Sequence, residues 1–326
     1  MRGGFLPNAY YYTRLSTEQK AIYKTVLAGL EAYAEEIDVI PIASDEISLV
    51  FIYITLDNPL IFQADSFTQA SYPGRKCVIR PNYKFPQDLV KDYEEKVIAY
   101  LKIFDTAKSM SDADKEIYVH DYCLKNFTYD RNRGEHANSV LGLVLYGTAV
   151  CEGIAKFVNL ALDYLGVKCL VVTGDGINPA NGTTEGHAWN IIKLDGKTYH
   201  LDVTFDLGLS GNTLRYDYFN LSDDDIKKDH IIKSDAPECT TVGKDYYSLN
   251  AQVVGGPKNL KSYIDNSLKQ GKKKIIFKIS KAHGIDDISD RVMQIASKSF
   301  VRIIRGYSTI EMSFNKGQMV FELTFR

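Results

Sequence analysis

Residues 186–205 read GHAWNIIKLDGKTYHLDVTF, two β-prone runs on either side of an Asp195-Gly196 pair. An Asp-Gly pair between such runs is typical of a two-residue hairpin turn, because both positions readily adopt positive φ angles. If Leu194 faces Lys197, every other pairing in the hairpin follows from the turn. The stretch therefore predicts an antiparallel hairpin of fixed register.

This register brings a histidine and an aspartate together. His187 lies opposite Thr204, and Asp202 becomes its diagonal neighbour on the same face, about 7 to 8 Å away. Trp189 directly faces Asp202. Alternation on the return strand predicts that one set of side chains packs in the core and the other faces a site: the core set is Tyr199, Leu201, Val203 and Phe205, and the site set is His200, Asp202 and Thr204.

A second segment, GTAVCEG at residues 147–153, places a cysteine where a helix begins. The apolar spacing from Val150 to Leu165 predicts a mostly buried helix, and Gly166 follows it as a typical C-terminal residue. A cysteine attacks as thiolate, and the N–H groups at a helix start favour negative charge. Cys151 is therefore a candidate nucleophile, and the alternative is a buried structural cysteine.

These residues together suggest covalent catalysis. His187 would take the thiol proton, and Asp202 would orient the imidazole and stabilise its charged form. The backbone N–H of Cys151 is the first candidate donor to a developing oxyanion, and Tyr146 is a candidate for the second. Trp189 would shield the ion pair from water, or it simply packs in the core.

The ordered set of motifs resembles the core of the transglutaminase-like superfamily, in its bacterial type. It spans about Glu116 to Asp206, and its main motifs are Gly147 to Gly153, Leu165-Gly166-Val167, Val172-Thr173-Gly174, Gly186 to Asn190 and Tyr199 to Thr204. The resemblance implies a papain-like cysteine fold and assigns nucleophile, base and orienter to Cys151, His187 and Asp202. It also implies a peptide or protein substrate, which includes cell-wall material, and an exported or cell-surface protein.

The wider pattern predicts an α+β protein of three parts. Residues 1–110 form a mostly helical region with short strands between Ile61 and Tyr83, residues 111–250 the catalytic core, and residues 251–326 a small α+β domain. The predicted helices outside the core motifs are Leu15–Glu36, Ser44–Thr55, Asp88–Phe104, Ser111–Asn126, Lys258–Gln270 and Ile288–Lys298. The predicted strands are Val167–Thr173, Ala188–Lys193, Thr198–Phe205, Lys274–Ile279 and a pair joined near Asn315-Lys316-Gly317.

Composition limits the partners. The 326 residues carry a formal net charge of -2, so no bulk field attracts nucleic acid. Five cysteines without a CxxC pair give no zinc pattern, and no metal or other cofactor is required. The chain lacks an apolar run long enough to span a membrane and a signal-peptide pattern at its start, so we expect it to be soluble as given.

Two other histidines have simpler interpretations. His120 falls on a predicted helix and is expected to pack or cap. His230 follows the acidic residues 223–225, which lack the pattern of a calcium loop, and a solvated turn is expected there.

The function that follows is acyl transfer through a thioester, with release to water in a peptidase or amidase and to an amine in a transamidase. The alternatives are an inactive transglutaminase-like module that binds peptide or cell-wall polymer, and a purely structural scaffold.

Overall fold

The computed structural model describes residues 9–72, 76–177, 182–211, 213–280, 288–304 and 309–326. Its N-terminal part is mostly helical, as the sequence predicts. In chain order its elements are α1 (Tyr10–Arg14), α2 (Thr17–Glu31), β1 (Ile37–Val39), α3 (Ser44–Asp57), β2 (Ala64–Tyr72), β3 (Lys76–Tyr83), α4 (Gln87–Leu101) and a 3-10 turn at Lys102–Ala107. Helix α2 begins with a full capping box, in which Ser16 and Gln19 each satisfy the other's backbone N–H.

The central part combines helices with an antiparallel sheet. Its elements are α5 (Asp112–Asn126), β4 (Thr128–Tyr129), α6 (Val140–Tyr146), β5 (Thr148–Ala149), α7 (Cys151–Tyr164), β6 (Cys169–Ile177), β7 (Thr184–Leu194), β8 (Lys197–Leu201), α8 (Val203–Leu209), β9 (Phe219–Leu221), α9 (Asp223–Ile226) and β10 (His230–Ile232). The strand order in the main sheet is β10-β6-β7-β8-β9. Helix α7 packs on β6 and β7, so its N-terminus lies beside the sheet.

The C-terminal part has a sheet and an apolar cluster of its own. Its elements are α10 (Tyr246–Leu249), β11 (Val253–Val254), α11 (Pro257–Lys269), β12 (Lys274–Ile279), α12 (Ile288–Ile304), β13 (Ile310–Asn315) and β14 (Val320–Phe325). The sheet order is β11-β12-β14-β13, and the cluster is formed by residues between Val254 and Phe325. The predicted α+β class is confirmed, whereas the three domain boundaries stay a prediction.

The hairpin has the predicted register. Leu194 pairs with Lys197 and Asn190 with Leu201. Asp195 and Gly196 have φ angles of 48° and 80°, as a primed turn requires. The pairing of these two strands was therefore predictable from the turn alone.

The predicted end of the return strand is wrong. The strand stops at Leu201, and Val203–Leu209 is helix α8. The chain turns into a helix here because Oδ1 of Asp202 accepts a hydrogen bond from the backbone N–H of Phe205 at 3.0 Å and caps the helix. Thr204 therefore does not pair with His187, and Phe205 packs against the His187 ring instead of entering the main core.

Glycine at position 153 lets α7 begin close to the loop before α6. A Cβ there would lie 2.4 Å from the carbonyl oxygen of Ala137 and 2.9 Å from that of Ser139. We expect Gly153→Ala to displace the start of α7 and to cost about 1 to 3 kcal/mol of unfolding free energy. Thermal and urea unfolding measure this.

The matched control is Gly208→Ala, in another helix, where an added Cβ meets nothing within 4 Å. We expect this control to unfold at or above the wild-type midpoint, because alanine favours helix. Equal unfolding midpoints for Gly153→Ala and the wild type would contradict the close packing.

In the described part of the chain, no helix is both long and apolar enough to cross a membrane.

Candidate active site

The N-terminus of α7 presents Cys151 to a cleft. Gly147, at φ 70°, ends α6, and the short strand β5 then leads directly into α7. Strand β4 pairs in parallel with β5, and the Val150 N–H donates to the Ala137 carbonyl at 3.0 Å. Cys151 is partly exposed, whereas Cys77, Cys123, Cys169 and Cys239 are free and buried.

His187 and Asp202 meet at the end of the hairpin. His187 lies on β7, and its Nε2 is 2.6 Å from Oδ2 of Asp202, the capping residue of α8. The helical turn after Leu201 thus replaces the predicted diagonal pairing, but it still brings the carboxylate to the imidazole. Because Nε2 is occupied by Asp202, Nδ1 is the ring nitrogen left for the Cys151 thiol, which lies beside His187.

Electrostatics favour a charged imidazole at this position. Burial alone would lower the pKa of His187, but the Asp202 carboxylate and the neighbouring Cys151 raise it to about 10. Burial opposes ionisation of Asp202, yet the contacts with His187 and His230 hold its pKa well below the usual range. At neutral pH the geometry therefore supports an imidazolium beside a carboxylate.

The cleft that contains Cys151 and His187 has a volume of about 430 Å³. Tyr129, Arg131 and Arg133 line one part of it, and Glu185, Thr204 and Phe205 line another. The lining of the cleft is therefore a mixture of charged, polar and apolar side chains.

Of the two other predicted site residues, Trp189 lies beside His187, whereas Tyr146 lies outside the cleft. Trp189 is buried and stacks on His187 with ring centroids 5.7 Å apart, and its Nε1 donates to Nδ1 of His200 at 3.0 Å. It covers the imidazole on the protein side. Tyr146 is 66% exposed, stacks on His136 and does not line the cleft that contains Cys151.

Two residues in the site were not predicted from sequence. Tyr129 lines the cleft, and its hydroxyl faces the backbone N–H of Cys151. His230, assigned to a solvated turn, is in fact buried on β10, and its Nε2 lies 2.9 Å from Oδ2 of Asp202. Pairing between distant segments positions both residues, and no local pattern indicates it. His120 is buried and hydrogen-bonded to Asp206 at 3.0 Å, which agrees with a packing role.

Among the residues that the structure describes, two groups of side chains each bring three possible metal-binding atoms within 4.8 Å of one another. One comprises His187, Asp202 and His230, and the other comprises His200, Asp223 and Cys239. In the first group both imidazoles already hydrogen-bond to the carboxylate, and in the second His200 Nε2 is 2.8 Å from Asp223 Oδ1. Both groups therefore satisfy their polar atoms as hydrogen-bond networks.

Three of the solved structures that are similar to part of this chain are described as a transglutaminase or as proposed proteases. A crystal structure of a transglutaminase aligns at 16% identity and a TM-score of 0.32, covering 47% of this chain and 46% of that one. A proposed cysteine protease from Cytophaga hutchinsonii aligns at 13% identity and a TM-score of 0.26, covering 43% of this chain and 61% of that one. A proposed protease from Parabacteroides distasonis aligns at 14% identity and a TM-score of 0.26, covering 42% and 35%.

The chain thus spans between about a third and three fifths of the length of these solved proteins. No curated protein matches the sequence significantly. The model of the transglutaminase-like superfamily matches residues 102–203, a range that contains Cys151, His187 and Asp202. The chain therefore carries a transglutaminase-like domain at residues 102–203, within a mixed helix and sheet fold of the α+β class.

Proposed function

We propose that this protein is a cysteine-dependent acyl-transfer enzyme that acts on peptide or protein amide bonds through a thioester at Cys151. The observation that carries the proposal is the shared cleft of Cys151 and His187, with His187 held by Asp202 at 2.6 Å. Nucleophile, base and orienter are the parts that such chemistry needs.

The reaction proceeds in two steps. The Cys151 thiolate attacks the amide carbon, a C–S bond forms, and the carbonyl π electrons move to oxygen. When the tetrahedral intermediate collapses, the C–N bond breaks and the His187 imidazolium gives its proton to the departing amine. In the second step His187 takes a proton from water or from an acceptor amine, which attacks the thioester and releases Cys151.

The oxyanion needs donors at the start of α7. The Cys151 backbone N–H is one, because the first N–H groups of a helix lack partners within it. Tyr129 is the better candidate for the second donor than Tyr146, since its hydroxyl faces this N–H within the cleft. The parallel pairing of Tyr129 with Ala149 fixes it beside Cys151.

Tyr129→Phe is expected to lower kcat by about 10- to 100-fold and to change KM little, because the hydroxyl acts on charge that develops only in the transition state. Steady-state kinetics on a cleaved peptide measure both constants. Tyr146→Phe is the matched control and is expected to behave as the wild type. An equal loss in both variants, or a change in KM alone, would contradict the role of Tyr129.

Water is the favoured acceptor of the acyl group. Cys151 is partly exposed and lines a cleft of about 430 Å³. A thioester at such a position is open to hydrolysis. The proposal is therefore a peptidase or amidase in the first place, with transamidation as the second outcome of the same chemistry.

The test incubates the wild type and Cys151→Ala with a peptide library and a labelled primary amine. Peptide cleavage that depends on Cys151 supports the hydrolase, and incorporation of the amine supports the transamidase. If the folded wild type binds peptides but neither cleaves them nor incorporates amine, the enzymatic proposal is wrong and the protein is a binding module.

A further inference from the structure

One oxygen of Asp202 serves two histidines. Its Oδ2 is 2.6 Å from Nε2 of His187 and 2.9 Å from Nε2 of His230. The two imidazole centroids are 5.3 Å apart, because β10 and β7 lie on either side of β6 in the sheet. The triad assigned above uses only one of these two histidines.

The second nitrogen of His230 also meets a carboxylate. Its Nδ1 is 2.7 Å from Oδ1 of Asp229. A carboxylate only accepts hydrogen bonds, so each ring nitrogen of His230 must carry a proton to satisfy both partners. Burial alone would lower the pKa of His230, but Asp202 and Asp229 raise it above its ordinary value. The hydrogen-bond geometry thus describes a buried imidazolium between two carboxylates.

Asp229 is itself held by two other parts of the chain. The Tyr218 hydroxyl donates to its Oδ2 at 2.7 Å, and Nε2 of Gln318 lies 3.3 Å from the same oxygen. Gln318 is fully buried in the turn between β13 and β14, and it also donates to the Asp225 carbonyl at 3.1 Å. The backbone of this turn approaches Asp229 closely, since a Cβ on Gly317 would lie 2.2 Å from the Asp229 carboxylate. The hairpin of β13 and β14 therefore helps to hold the Asp229 carboxylate, which in turn holds His230.

The surroundings of His230 contain few other polar groups. Trp189 and Phe205 pack on its ring, with centroids 5.0 and 4.4 Å away. The titratable groups that face it from the packed elements are His187, His200, Asp202, Tyr218 and Asp229. With few other titratable groups nearby, the charge on His230 acts on Asp229 and Asp202, which it contacts directly, and on the neighbouring His187.

We infer that His230 is a positioning residue, which as an imidazolium fixes the Asp202 carboxylate and thereby sets the pH range over which the Cys151 and His187 pair is reactive. The inference rests on the proposed function of that pair. The fixed carboxylate keeps Oδ2 toward His187 while Oδ1 caps α8. A positive charge nearby makes every neighbouring proton easier to remove, so the reactive ion pair forms at lower pH.

The first test measures the rate of Cys151 alkylation by iodoacetamide against pH, in the wild type and in His230→Gln. We expect both limbs of the variant's profile to move to higher pH by on the order of one unit, because one positive charge is lost from beside the pair. The matched control is His120→Gln, which removes another fully buried histidine bonded to a carboxylate. A His230→Gln profile equal to that of His120→Gln would overturn the inference.

The second test needs no variant and applies even if His230→Gln fails to fold. Nitrogen NMR of the histidine side chains in the wild type distinguishes a doubly protonated ring from a neutral one. We expect His230 to keep both ring protons at a pH where an ordinary histidine is mostly neutral, because each ring nitrogen meets a carboxylate, and a His230 that becomes neutral at or below the ordinary histidine pKa would overturn the inference. EDTA should leave the pH profile of Cys151 alkylation in the wild type unchanged. A shift of this profile with EDTA would mean that a metal ion binds His187, Asp202 and His230, and it would also overturn the inference.

The outcomes separate the two proposals. If Cys151 of the folded wild type reacts no faster than the other four cysteines, the proposed function is wrong, and with it the role of His230. If Cys151 is reactive but its profile is the same in His230→Gln and His120→Gln, only the inference about His230 is wrong.

Discussion

Cys151→Ala is expected to abolish thioester formation and to lower turnover at least about 10³-fold, because Cys151 is the one cysteine among the described residues that line the cleft. An activated ester offered to the wild type, followed by an acid quench, should leave its acyl group on Cys151. Intact-mass and peptide mass spectrometry detect this adduct. The variant should show none.

The control for this experiment is Cys77→Ala. It removes a buried thiol on β3, on a strand that contributes nothing to the cleft. We expect the folded control to form the adduct at the wild-type rate. Acylation of Cys151→Ala at another cysteine with undiminished turnover would contradict the assignment of the nucleophile.

Asp202→Asn is expected to lower kcat by roughly 10²- to 10⁴-fold, since an amide neither fixes the required tautomer nor stabilises the imidazolium. The sign of the pH effect follows from the two opposing influences on His187. Asp202 raises its pKa to about 10 against the effect of burial, so the wild type keeps the imidazolium through neutral pH. Without that charge, burial dominates and lowers the pKa of His187, so the imidazolium is already lost at a pH below the ordinary histidine range.

Cys151 alkylation in Asp202→Asn should therefore become slow at mildly acidic and neutral pH and recover only in alkaline solution. The variant should also lose stability, on the order of 3 kcal/mol, because His230 would keep only one of its two carboxylates. Asp223→Asn is the matched control, since this carboxylate holds His200 at 2.8 Å and does not contact His187. Equal effects in both variants would show that Asp202 has no special role.

The sequence predicted the parts of the site that are local along the chain. The Asp-Gly turn determines the register from Leu194 back to Asn190, and this brings Asp202 near His187. The apolar spacing after Val150 likewise predicts the helix that begins at Cys151. These features follow from turn chemistry and helical periodicity, which need no knowledge of distant segments.

The remaining parts depend on contacts that the local pattern does not contain. Tyr129 reaches the cleft through the pairing of β4 with β5, and His230 reaches Asp202 through the pairing of β10 with β6. The helix after Asp202 was missed because alternation suggested a strand, whereas a capping carboxylate turned the chain into α8. Sequence separation therefore limited the prediction of Tyr129 and His230, whereas α8 was missed because the local pattern after Asp202 is compatible with both a strand and a capped helix.

The measurement that tests the central claim most directly is iodoacetamide labelling of the folded protein at mildly acidic pH, with peptide mapping of all five cysteines. Burial raises the pKa of the Cys123, Cys169 and Cys239 thiols, and Cys77 is buried as well. We expect rapid modification of Cys151 alone, and its loss in His187→Ala. Slow and uniform labelling of the five thiols, or fast labelling of Cys151 that persists in His187→Ala, would contradict an activated cysteine at this site.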